Sequence, residues 1–125
     1  MDALAELFSL DGRANRAWYF WHMVLDDLVI ITALILFVVL GVVTSPLLAI
    51  PLLGVIAAAG WAAAAVTVKR LHDLGRPGWH LALLFVPIYQ IYLGLVLTFK
   101  RGQAGPNEFG ADPLQAAAAS HSLRP

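Results

Sequence analysis

From Leu28 to Val68 the chain carries not one Asp, Glu, Lys or Arg. A helix needs ~20 apolar residues to cross a ~30 Å hydrocarbon layer, so this run is long enough for two crossings placed end to end. In lipid every backbone N–H and C=O must find its partner inside the protein, which makes helices the expected form of both. The break between them is expected at Thr44-Ser45-Pro46, where proline removes a donor and serine can close a turn; Pro51 and Gly54 compete for the same role. Span one then runs from Phe20 or Asp26 to Val43, and span two from Leu47 to Val68.

Composition agrees with a membrane chain of one domain. Of 125 residues, 60% are hydrophobic and 13% charged, too little polar surface to cover a soluble domain of this size. Eight acidic residues offset eight basic ones, so the overall basic field that attracts nucleic acid is missing. There is no cysteine, hence no disulfide, thiolate metal site or cysteine nucleophile. Asp2, Glu6 and Asp11 precede Arg13 and Arg16, the wrong charge order for a cleaved leader, so the first apolar stretch is expected to be a retained span. Ala57-Ala58-Ala59-Gly60 and Ala62 to Ala65 let backbones approach closely, which makes span two the expected central helix and a surface for self-association into a homo-oligomer.

A third apolar segment, Trp79 to Phe99, is interrupted by Pro87 and Gln90 and leaves two topologies open. A full crossing, with the N-terminus inside, puts Arg13, Arg16, Lys69, Arg70 and Arg76 in the cytoplasm and Lys100, Arg101 and Arg124 outside. A re-entrant hairpin broken near Pro87 gathers all eight basic residues on the cytoplasmic side, which the positive-inside rule favours. Length favours the full crossing. The expected fold is therefore an all-α integral membrane bundle of three hydrophobic segments behind an N-terminal interfacial segment. One domain over residues 1–113 is followed by a tail, 114–125, whose alanine-rich composition is expected to be disordered.

The residues that could carry chemistry sit at the edges of the spans. Arg13 and Arg16 precede Trp18, Tyr19, Phe20 and Trp21, the pattern of a segment entering a membrane with guanidinium groups among phosphates and rings at headgroup level. The loop from Lys69 to Gly78 holds Arg70, His72, Asp73 and Arg76; Asp73 can close the loop, orient His72 or pair with an arginine. Because arginine grips phosphate with two parallel bonds, Arg13, Arg16, Arg70 and Arg76 form a candidate contact set for anionic lipid or phosphate.

A second candidate set is polar: His22, Asp26, Asp27, His72 and Asp73. His22 lies four residues before Asp26, on the same helix face. A lone carboxylate at mid-bilayer costs about 2.5 to 3.5 kcal/mol on insertion scales. Either the span starts at Leu28 and the aspartates mark its edge, or they face a partner among Arg16, His22, Arg70 and His72. No metal-binding histidine spacing, phosphate loop, nucleophile elbow or serine triad is present, so no catalytic residue, metal or cofactor is expected.

Three ordered motifs carry a resemblance. Gly12-Arg13-Ala14-Asn15-Arg16 near the N-terminus, Lys69-Arg70-Leu71-His72-Asp73-Leu74-Gly75-Arg76-Pro77-Gly78-Trp79 in the middle, and Gly105-Pro106-Asn107-Glu108-Phe109-Gly110-Ala111-Asp112-Pro113 near the end resemble, in order and spacing, the bacterial DUF805 family. The resemblance implies a small multi-pass protein of the bacterial cytoplasmic (inner) membrane, in a family with no established activity. Trp18 stands where the family places an acidic residue, Pro77 replaces a usual serine and His80 a second tryptophan. Without catalytic spacing, the expected function is an interaction or envelope-organising protein with an anionic-lipid-contacting cytoplasmic surface, with membrane lipids and further copies as partners and no nucleic acid. A channel or transporter built on Asp26, Asp27 and Gln90 is the alternative, and an enzyme acting on headgroups through His72, Asp73 and the arginines a further one.

Overall fold

The computed structural model describes residues 3–122; Asp2 and Arg124 lie outside the described residues. The described residues form five α-helices and one 3₁₀ segment: α1 (Ala3–Phe8), α2 (Arg16–Val43), α3 (Pro46–Asp73), the 3₁₀ segment (Gly78–Phe85), α4 (Tyr89–Phe99) and α5 (Pro113–Ser122). Among the described residues there is no strand, only an isolated bridge between Asn107 and Gly110.

Two helices, α2 and α3, are long and apolar enough to cross a membrane. They pack against each other as an antiparallel pair, and the turn between them falls at Thr44-Ser45. Ser45 caps α3 by accepting from the Leu47 N–H at 3.3 Å, and Pro46 opens the helix where its missing donor costs nothing. Pro51 stays inside α3 and does not break it. At the other end of the pair, Asn15 caps α2 by accepting from the Trp18 N–H at 2.9 Å. Gly75 ends α3 at φ +68°, with the Gly75 N–H donating to the His72 carbonyl and the Arg76 N–H to the Leu71 carbonyl. That is a Schellman closure, for which glycine is the favoured residue.

The third apolar segment does not form the single helix that its length favours. It breaks at Val86-Pro87-Ile88, where Ile88 adopts φ +67°, a conformation rare for a β-branched residue. Both of its ends meet the end of α3. Gly78 sits against Val68 and His72, while the Leu97 and Lys100 carbonyls accept from Arg70. The segment therefore leaves the end of α3 and returns to it. Pro87 brings no donor to the reversal, and Val86, Tyr89 and Gln90 donate to carbonyls within it.

Burial follows this arrangement. The buried residues of α3, Ala49 apart, lie between Ala62 and Asp73. The core joins Tyr19, Val66, Leu71, Leu74, Leu93 and Leu97, with Leu81, Leu83, Leu84 and Tyr89 packed against it. In the other half of the pair only Ala33 and Ala49 are buried, both small enough to let the two backbones close up.

Beyond α4, the stretch expected to be disordered is helical as far as Ser122 and exposed, forming α5. Asp112 caps it by accepting from the Leu114 N–H at 2.9 Å, with Pro113 at the first position.

Candidate functional site

The three sequence motifs converge at the loop end of the α2/α3 pair, and Asp73 is the point at which they meet. One of its carboxylate oxygens accepts from Arg13 at 3.0 Å and 3.2 Å, and the other accepts from Arg70. The remaining Arg13 donors go to the carbonyls of Gly105 at 2.6 Å and Gln103 at 2.5 Å. Arg70 also donates to the carbonyls of Leu97 at 2.7 Å, Ala14 at 3.3 Å and Lys100. Its side chain is 0% exposed and that of Arg13 1%. Two arginines buried this deeply need a counter-charge and acceptors; they share the Asp73 carboxylate, and every guanidinium nitrogen of both has an acceptor.

Around this knot the chain is held by backbone and ring contacts. The Ala14 N–H donates to the Lys69 carbonyl at 3.1 Å, and the Gln103 N–H to that of Asp73 at 2.8 Å. The His72 ring lies 3.1 Å from the Gly12 carbonyl through Nδ1 and stacks on Phe109 with centroids 4.1 Å apart. Asn107 donates to the His72 carbonyl at 2.9 Å. Gly102 comes so close that an added Cβ would strike the Asp73 carboxylate, and one on Gly75 would strike the Gln103 amide. Hydrogen bonds from the Gly105 and then the Leu114 N–H hold the Asp112 carboxylate below the usual carboxylate range.

Lys69 secures the N-terminal segment. Its ammonium donates to the Glu6 carbonyl and lies 5.7 Å from the centre of the Trp18 ring, so at position 18 an aromatic face supplies the attraction that an acidic residue would give. Trp18 stacks in turn on His22 at 3.8 Å. The Trp61 indole donates to the Phe8 carbonyl at 3.1 Å, which lays α1 along α3.

The candidate residues thus separate. Arg13 and Arg70 are enclosed by protein acceptors, while Arg16 and Arg101 are exposed and Arg76 is half-buried. His72 and Asp73 belong to the knot. His22, Asp26 and Asp27 lie along α2, and no hydrogen bond or ion pair among the described residues joins them to His72 or Asp73. One carboxylate oxygen of Asp26 is buried without a hydrogen-bond partner, whereas Asp27 and Gln90 are exposed. No group of three or more His, Asp or Glu able to hold a metal occurs among the described residues.

Beside the knot lies an open cavity of about 710 Å³ between the first turn of α2 and the start of α5. Arg16, Arg101, Gln103 and Gln115 line it, together with Asp73 and Asp112. Neither the Arg16 nor the Arg101 guanidinium is in an ion pair among the described residues. Arg101, Gly102 and Gln103 were not singled out by the sequence, which offers only a basic pair followed by turn residues.

None of the curated proteins and none of the solved structures matches the chain. Residues 7–111 match the family of proteins of unknown function DUF805, a span that begins just before the first of the three motifs and closes beside Asp112. The chain belongs to the DUF805 family.

Proposed function

We propose that the chain is a multi-pass protein of the bacterial cytoplasmic membrane that organises its surroundings by holding anionic lipid headgroups at its loop end. The observation that carries this is the pair Arg16 and Arg101, two exposed guanidiniums sharing one cavity with the first turn of α2. A helix N-terminus favours anions, and arginine matches phosphate geometry. Asp73 and Asp112 also line the cavity, but Arg13 and Arg70 take up the charge of the first, and the second accepts from the Gly105 and Leu114 N–H groups.

The membrane placement follows from length. About 20 residues counted back from Val43 reach Val24, which leaves Asp26 and Asp27 at the near edge of the hydrocarbon with Trp18, Trp21 and His22 among the headgroups. The same count from Leu47 reaches Val66 and sets Arg70 to Asp73 in the headgroup zone. The 3₁₀ segment, at ~2 Å per residue, and α4, at ~1.5 Å, are each about 16 Å long, half the thickness of the layer. This supports a re-entrant hairpin, and with it every basic residue of the described chain faces the cytoplasm. The open small-residue surface at Gly54, Ala57, Ala58 and Gly60 offers a second copy a place to pack.

The test is lipid retention. The purified chain is expected to keep phosphatidylglycerol over phosphatidylcholine through detergent exchange, and the R16Q/R101Q double variant to lose that preference while keeping its helical content. A variant that retains anionic lipid as well as the parent would count against the cavity as the headgroup site.

A further inference from the structure

The two ends of the α2/α3 pair stand among different numbers of elements. Near the loop end α2, α3, the 3₁₀ segment and α4 all stand side by side, joined at the rim by α1; toward Thr44-Ser45 only α2 and α3 continue. The burial pattern records the step. On α3 nearly every buried residue lies from Ala62 onward, and beyond the hairpin tip the pair has only Ala33 and Ala49 inside it. The tip itself is apolar and uncovered, with Phe85 87% and Ile88 83% exposed. Each helix is ~10 Å across, so the two extra elements add about 160 Å² of cross-section to one leaflet alone.

We infer that the chain is a wedge: it expands the cytoplasmic leaflet and therefore concentrates in membrane that bulges toward its loop end, so that its ligand class is a curved lipid surface. The inference rests on the hairpin topology proposed above. A single crossing by residues 79–99 would give both leaflets the same three helices and no preference. The exposed Phe8 and Leu10 of the N-terminal segment add area on the same side, in the manner of interfacial apolar side chains that respond to curvature.

The experiment uses the full chain, which has no cysteine of its own, carrying a single dye at Glu108→Cys, Leu47→Cys or Arg76→Cys, side chains that make no hydrogen bond to the Asp73 carboxylate. Each is reconstituted into a mixture of small and large unilamellar phosphatidylcholine/phosphatidylglycerol vesicles, and a membrane-impermeant quencher reports which way each molecule faces. Molecules with the loop end outward are expected to be enriched in the small vesicles, per lipid, by about twofold or more relative to those facing inward, a ratio equivalent to ~0.4 kcal/mol. Equal distribution of the two orientations between small and large vesicles overturns the wedge; the hairpin is then judged by whether Glu108→Cys is shielded from an impermeant maleimide in intact cells as Arg76→Cys is, while Leu47→Cys is labelled. Quenching at 108 together with 47 overturns both.

Discussion

The two ends of the α2/α3 pair are built by different physics. At the loop end a buried carboxylate, two buried arginines and the backbone carbonyls around them fix separate stretches of chain in one arrangement. At the far end Val42, Val43 and Leu47 are largely exposed, and the pair is joined by the Ser45 turn and by apolar packing in which only Ala33 and Ala49 are buried. Lipid is an adequate solvent for the second region, so its side chains need only be apolar. No solvent substitutes for Asp73 in the first. Specificity in so small a chain can thus reside in its polar rim, with the two long apolar helices acting as a permissive frame.

The comparison predicts a steep gradient of mutational cost. Asp73→Ala leaves Arg13 and Arg70 buried without counter-charge and should destabilise the protein by about 3 to 5 kcal/mol, seen as a large fall in melting temperature in detergent. A near-native melt for that variant would remove the knot from the centre of the account. Gly102→Ala drives a methyl group into the Asp73 carboxylate and should cost about 1 to 3 kcal/mol by the same measurement. At the far end Val42→Ala, 81% exposed, should shift stability by no more than about 0.5 kcal/mol. An effect as large as that of Gly102→Ala would show that the far half is covered by something other than lipid.

The smallest effect is a pH dependence confined to the tail. Because folding lowers the Asp112 carboxyl from its ordinary 3.8, its contribution is complete above that value and is lost as pH falls through the lowered folded value. Hydrogen exchange at the Gly105 and Leu114 amides should stay slow at mildly acidic pH and speed up only below the ordinary carboxylate range. Asp112→Asn should abolish that step.

Much of the frame was legible in the sequence because hydropathy and turn chemistry are local. The break at Thr44-Ser45-Pro46 follows from residues adjacent in the chain, whereas Lys69 to Asp73, expected in the loop, continue α3 by more than a turn before Gly75 closes it. The motifs were legible too, but not their meeting, since Arg13 reaches Asp73 across 60 residues and Gly105 across 92. An arginine's type does not say which oxygens it will find: a carboxylate with a few carbonyls can take up its N–H groups as a phosphate can, so Arg13 and Arg70 read like headgroup contacts although protein encloses them. Length could not show that residues 79–99 turn back, whereas Pro87, which removes a donor, marked the place. The alanine-rich tail was read by complexity, yet alanine is the strongest helix former and Asp112-Pro113 a sound start, so α5 forms.

The central claim is that the third apolar segment returns to the side it left, gathering all three motifs at one membrane face. Sidedness of a single cysteine at Glu108 in intact cells tests it most directly. An impermeant maleimide is expected to leave Glu108→Cys unlabelled from outside while labelling Leu47→Cys, and both are expected to react once the cells are permeabilised. Labelling of Glu108→Cys from outside at the rate of Leu47→Cys would contradict it.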